Sequence, residues 1–179
     1  VIKAKTAGFC FGVKRAVDTV YKQVDTKCGQ IYTYGPIIHN EEVIKDMRDK
    51  GVIVLRSEED LDMISQGTVI IRSHGVEKRI YEKIEQKGLR IVDATCPFVK
   101  KIHNIVSEKS GEGFHIIIIG NPEHPEVVGI KGWAKDNVTV IQSAEDAECF
   151  TADRKEKICI VSQTTFNYNK FKYLVEIIR

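Results

Sequence analysis

The run TVIIRSHGVEKRIYEKIEQKGLRIVDATCP, residues 68–97, decides the fold. It opens on an apolar stretch at 68–72 and closes on another at 89–93, each of strand length. Ser73-His74-Gly75 follows the first stretch, and Ala94-Thr95-Cys96-Pro97 follows the second. Residues 77–88 between them read as a polar helix. A strand, a helix and a strand of these lengths form a βαβ unit, with parallel strands and a right-handed crossover.

The alternation continues in both directions. Upstream, residues 1–5 and Ile31–Tyr34 are strand-like. Val13, Ala16, Val17, Val20, Tyr21 and Val24 recur at helical spacing, which gives the helix over 11–24 one apolar face. Asn40 caps a helix that ends near Gly51, and a strand at 52–55 and a polar helix at 58–65 follow. Downstream, the pattern predicts a helix over 97–110 and strands at 114–119, Val138–Ile141 and 158–161. Helices are expected near 125–134, 144–150 and 167–179. The fold class is therefore α/β. Two similar parallel-sheet βαβ domains of four-stranded type are expected, one over 1–96 and one over 97–179.

Hydrophobic residues make up 42% of the 179 positions and charged residues 29%, a balance that can bury a core. The net charge is only +2, and no basic run stands out, so neither a nucleic-acid nor a membrane-surface partner is expected. No apolar stretch approaches the roughly 20 residues that span a bilayer. The N-terminus lacks a charged-then-apolar signal pattern, so a cytoplasmic protein is expected. The sequence begins at Val1 rather than Met and ends in an apolar-periodic helix without a stop signal, so a fragment is expected.

Cysteines stand at 10, 28, 96, 149 and 159. No Cys-x-x-Cys pair occurs, and the odd count argues against a disulfide framework. Any metal site must be assembled from distant parts of the chain. Cys28, Cys149 and Cys159 are read as small buried hydrophobes. Cys10 and Cys96 differ, because each lies directly before a helix, whose positive end stabilises a thiolate.

Ligands in parallel α/β sheets bind beyond the carboxyl ends of the strands. Those positions hold His39, Ser73, His74, Cys96, His124, Glu126, Gln163 and Thr164, set among glycine and proline. Histidine donates to phosphate oxygens and gains charge near an anion. The hydroxyls and the helix N-termini add further donors. His103, inside a helix, and His115, inside a strand, read as satisfied structural groups. Neither the Rossmann glycine pattern nor a Walker A segment is present, which argues against a NAD or ATP enzyme. A small anionic substrate fits this constellation.

Six motifs, in order, resemble the 4-hydroxy-3-methylbut-2-enyl diphosphate reductase family. They are Gly8-Phe9-Cys10-Phe11-Gly12-Val13, Ile38-His39-Asn40, Ser73-His74-Gly75-Val76, Asp93-Ala94-Thr95-Cys96-Pro97, His124-Pro125-Glu126-Val127 and Gln163-Thr164-Thr165. The resemblance runs from residue 8 to 165. It implies the first two of three α/β domains arranged around a central 4Fe–4S cluster held by three cysteines. Cys10 and Cys96 match two of these, whereas the third cysteine and a serine/asparagine diphosphate motif belong to a third domain not seen in this chain.

By the same resemblance, His39, His74 and His124 contact the substrate diphosphate or its hydroxyl, Thr164 positions it, and Glu126 is the proton source. The implied reaction is a two-electron, two-proton removal of an allylic hydroxyl, giving isopentenyl and dimethylallyl diphosphate. Ferredoxin or flavodoxin is the implied electron donor. With one thiolate missing, this chain alone is expected to be inactive. Two alternatives remain open: a zinc-stabilised α/β domain using Cys10, Cys96 and histidines, and a metal-free small-anion binding domain.

Overall fold

The computed structural model describes residues 2, 7–26, 29–153 and 155–179. The elements in chain order are α1 (Phe11–Thr26), β1 (Ile31–Tyr34), α2 (Glu41–Asp49), β2 (Ile53–Leu55), α3 (Glu58–Asp62), β3 (Thr68–Ile71), α4 (Lys78–Gln86) and β4 (Arg90–Asp93). There follow α5 (Pro97–Gly111), β5 (His115–Ile119), α6 (Pro125–Lys131), β6 (Val138–Ile141), α7 (Ala144–Cys149), β7 (Ile158–Ser162) and α8 (Tyr168–Ile178). The strand expected at residues 1–5, and Cys28, lie outside the described residues.

The starts of several helices follow from local chemistry. Asn40 is extended, and its side-chain oxygen accepts from the Val43 N–H at 3.0 Å, satisfying one orphan donor of α2. Ser143 and Asp146 form a reciprocal capping box at α7. Two helices stop short of expectation. The third ends at Asp62 rather than 65, and α6 ends at Lys131, because Gly132 caps it.

All the strands pair in parallel, as the βαβ reading requires. The first sheet has the order β2-β1-β3-β4, with Ile31 opposite Thr68 and Tyr34 opposite Ile71. The second has three strands among the described residues, ordered β6-β5-β7, rather than the expected four. Its central strand explains its composition. A parallel strand covered on both faces reads as a continuous apolar run, and Ile116–Ile119 are fully buried. Alternate residues serve opposite faces: Ile116 and Ile118 pack with Val106, Val127 and Ile130, while Ile117 and Ile119 pack with Ile141, Ala147 and Leu174. Burial of each isoleucine contributes about 1.5–3 kcal/mol. In the first unit, Ala16, Val17 and Val20 of α1 pack with Ile31, Ile70 and Met47.

The chain divides into two compact units, Val1–His74 with Ile80–Pro97, and Gly75–Arg79 with Phe98–Arg179. A single cut after residue 96 does not foresee the excursion at Gly75–Arg79. That segment is held within the second unit by the Trp133 indole N–H, which donates to the Val76 carbonyl at 2.9 Å. Gly132 has no side chain where a Cβ would come within 2.4 Å of Glu77. No helix among the described residues is long and apolar enough to cross a membrane.

Candidate functional site

In the first unit the chemistry-bearing residues follow β1, β3 and β4 and precede α1. Because β1 and β3 are neighbours, the loops beyond them meet. The Ser73 hydroxyl and N–H both donate to the Ile37 carbonyl, at 3.0 and 3.3 Å. The Cys96 N–H in turn donates to the Ser73 carbonyl at 2.9 Å. This chain of bonds fastens the His39 loop, His74 and Cys96 to one another. The His39 and His74 rings lie 4.8 Å apart, tilted by 44°.

Cys10 occupies the position before α1, its carbonyl accepting from the Lys14 N–H at 2.9 Å, and Cys96 occupies the position before α5. Both therefore stand at the ends of long helices where negative charge is favoured. Helix α1 is also fastened to the Cys96 turn. A Cβ added to Gly12 would lie 2.6 Å from Cys96 Sγ, so only glycine allows this approach. The Arg15 guanidinium donates to the Thr95 carbonyl at 2.8 Å and to the Asp93 carbonyl at 3.3 Å. Asp93 Oδ1 accepts from the Thr95 N–H at 3.0 Å and from the Tyr81 hydroxyl at 3.2 Å. Burial pushes the Tyr81 phenol well above its ordinary pKa, so it stays a neutral donor.

Neither cysteine is in a disulfide; Cys10 is exposed and Cys96 half-buried. Soft sulfur donors at two helix starts, that of Cys96 packed closely against Gly12, fit two ligand positions of an iron–sulfur cluster or of zinc.

In the second unit, β5 pairs directly with β7, so the segments after them run side by side. Gly120 makes room, since a Cβ there would sit 2.8 Å from Val127 and 3.0 Å from Gln163. Gln163 Oε1 accepts from the Asn121 N–H at 3.2 Å, joining the two loops. Glu126 is only 1% exposed. Its carboxylate accepts from the Thr164 N–H at 2.6 Å and from the Thr164 hydroxyl at 2.9 Å. His124 caps α6 with Nδ1, which accepts from the Glu126 N–H at 3.1 Å. A ring nitrogen that accepts carries no hydrogen, so the neutral His124 ring bears its hydrogen on Nε2.

A family model described as LytB protein matches residues 1–179. The chain belongs to the LytB family. Within it, the chain is similar to proteins named 4-hydroxy-3-methylbut-2-enyl diphosphate reductase. It is 44% identical over 180 residues to that of Caldanaerobacter subterraneus subsp. tengcongensis, covering 100% of this chain and 62% of that protein. It is 46% identical over 181 residues to that of Thermoanaerobacter sp. strain X514, with the same coverage. The solved structure of the E-1-hydroxy-2-methyl-but-2-enyl-4-diphosphate reductase from Plasmodium falciparum matches with a TM-score of 0.90 and 30% identity. That match covers 97% of this chain and 54% of the Plasmodium chain. The chain thus spans about 62% of the length of the curated relatives it matches.

Against this LytB membership, each unit groups its own expected residues: Cys96, His39 and His74 in the first, His124, Glu126 and Thr164 in the second. The two histidines read as satisfied structural groups differ: both ring nitrogens of His115 find partners, whereas the buried Nε2 of His103 meets no hydrogen-bond partner among the described residues. His103 is buried and stacked on Trp133 at 5.0 Å, and His115 bonds to Glu156 at 3.0 Å and Thr139 at 2.8 Å. Cys159 is partly buried, and desolvation pushes its thiol pKa up. Cys149 departs from expectation: it is exposed, because it is the last residue of the short helix α7. Arg15 and Tyr81 were not legible as site residues. Their partners lie 80 and up to 14 positions away, and neither residue interrupts the helical pattern around it.

Proposed function

We propose that this chain is part of an iron–sulfur reductase that removes the allylic hydroxyl of 4-hydroxy-3-methylbut-2-enyl diphosphate. Two electrons and two protons enter; one proton leaves with the hydroxyl as water, and the other adds to carbon. The products are isopentenyl and dimethylallyl diphosphate. The observation that carries this reading is the contact of Cys96 Sγ with Gly12. Gly12 is two residues from Cys10, a Cα separation of at most about 7 Å, so two cysteines far apart in sequence come to one place.

Cys10 and Cys96 hold a 4Fe–4S cluster, with the third thiolate supplied from outside this chain. When bound, that cluster supplies electrons and a Lewis-acidic iron for the hydroxyl oxygen. His39, His74 and His124 donate hydrogen bonds to the diphosphate or the hydroxyl, which charged acceptors make strong. Glu126 is the proton source. Thr164 supports that role, because its hydroxyl donates to the ionised carboxylate and can rotate to accept from the protonated acid. Thr164 also helps to position the substrate. A ferredoxin or flavodoxin delivers the electrons.

The test is anaerobic metal analysis and turnover of the intact protein. Iron and acid-labile sulfide are expected together, both falling in Cys10→Ser and Cys96→Ser, with turnover of the allylic diphosphate under a chemical reductant. Equimolar zinc without sulfide would replace this reading with a zinc-stabilised domain.

A further inference from the structure

We infer that Arg15 is a positioning residue for the Cys96 sulfur, and that its charge makes a cluster held there easier to reduce. The inference rests on the reductase reading, in which Cys96 is a cluster ligand, and gives a role to a residue which that reading leaves unused. Every residue concerned lies in the first unit.

The turn that carries Cys96 is fastened through its backbone. The Ala94 N–H donates to the Ile71 carbonyl at 3.1 Å, and the Cys96 N–H to the Ser73 carbonyl at 2.9 Å. Between them, the Thr95 N–H donates to Asp93 Oδ1 at 3.0 Å. The carbonyls of Thr95 and Asp93 both receive the Arg15 guanidinium, at 2.8 and 3.3 Å. The peptide that joins Thr95 to Cys96 is therefore held at both ends, its N–H by Ser73 and its oxygen by Arg15. Because a peptide is planar, these two bonds fix its plane and the position of the Cys96 Cα.

Arg15 also ties this turn to the other cysteine. It stands three residues after Gly12 on α1, so the two share a helix face, and that face meets the Cys96 turn at both points. Cys10 lies at the start of the same helix, so the docking of α1 through Arg15 holds the two sulfur donors in one arrangement. The charge matters separately. Among the described residues Arg15 makes no ion pair, and its guanidinium bonds go to carbonyl oxygens. Through the bonded peptide, the guanidinium lies no more than about 7 Å from the Cys96 Cα. It is half-buried, so salt screens it less than an exposed charge. An electron added at the cluster is one more negative charge beside Cys96, and a fixed cation favours that state. A purely structural role, in which Arg15 satisfies two strand-end carbonyls, accounts for the bonds equally well. It predicts no effect on a reduction potential.

The test compares the anaerobically purified intact protein with its Arg15→Met and Arg15→Lys variants. Iron and sulfide content are measured beside two readouts. One is hydrogen exchange at the Cys96 amide; the other is the midpoint potential, from a redox titration followed by electron paramagnetic resonance. Arg15→Met should speed exchange roughly tenfold or more, as loss of a hydrogen bond to a charged group does, and move the potential to a more negative value. Arg15→Lys keeps the charge without the fork on two carbonyls, so its potential should return close to that of the parent while its exchange stays between the two. Loss of iron from Arg15→Met, with Arg15→Lys loaded at the parent potential, is the same result in stronger form. Parent-like exchange or a parent-like potential in Arg15→Met overturns the inference, as do equal losses of iron from both variants. A parent protein without iron and sulfide overturns the reductase reading itself, and the inference falls with it.

Discussion

Glu126 concentrates the residue-scale argument. A carboxylate at the first turn of a helix has an ordinary explanation in the helix dipole, and an exposed one would need no other. This one is buried and engages Thr164, 38 positions away, through both oxygens. Glu126→Gln keeps that geometry, since the amide oxygen still accepts from the Thr164 N–H while the hydroxyl rotates to accept from the amide. In the intact protein, cluster content and substrate binding should stay near normal, and turnover should fall by roughly 10²-fold or more. Turnover within a few-fold of the parent would return Glu126 to a structural role. His39→Phe, His74→Phe or His124→Phe should instead raise the substrate dissociation constant, by about 1.5–3 kcal/mol each, with iron content retained. The residue types at these positions were legible from the sequence; the carboxylate's partner was not, because it sits on a different loop.

At the scale of elements, helix starts were the most legible features, because a cap acts within three residues of itself. Asn40 and the chain reversal after Gly51 could be read directly. The approach of α1 to the Cys96 turn is a different matter, since it depends on what a glycine lacks. Gly12→Ala adds helix propensity of up to about 1 kcal/mol, but places a methyl against Cys96 Sγ. Overpacking of this kind costs about 1–3 kcal/mol, so net destabilisation is expected in denaturant unfolding. Combining it with Cys96→Ala should recover most of the loss, which a double-mutant cycle measures. Additive effects would show that the strain lies elsewhere.

For the whole molecule, acid is the revealing stress. Asp146 is held below the usual carboxylate range by the N–H groups of Gln142 and Ser143, and Asp46 by Lys50 and then Tyr21. Glu59 is lowered chiefly by Ser57, and Glu145 chiefly by its own backbone N–H. A carboxyl lowered on folding stabilises the protein above its unfolded pKa, and that contribution is lost as pH falls through the folded value. The urea midpoint should therefore be fully supported at pH 7 and fall below about pH 4. Asp146→Asn should narrow the difference between pH 7 and pH 3; an unchanged difference would mean the capping box contributes nothing through charge. The order of elements, the parallel pairing and the strand-end placement of cysteine and histidine were determined by the sequence alone, because periodicity and caps are local. Three things were decided only by tertiary structure: the return of Gly75–Arg79 to the second unit, the bond from Arg15 to Thr95, and the approach of Gly12 to Cys96. Each joins residues that share no local pattern, and only packing selects which distant backbone a side chain meets.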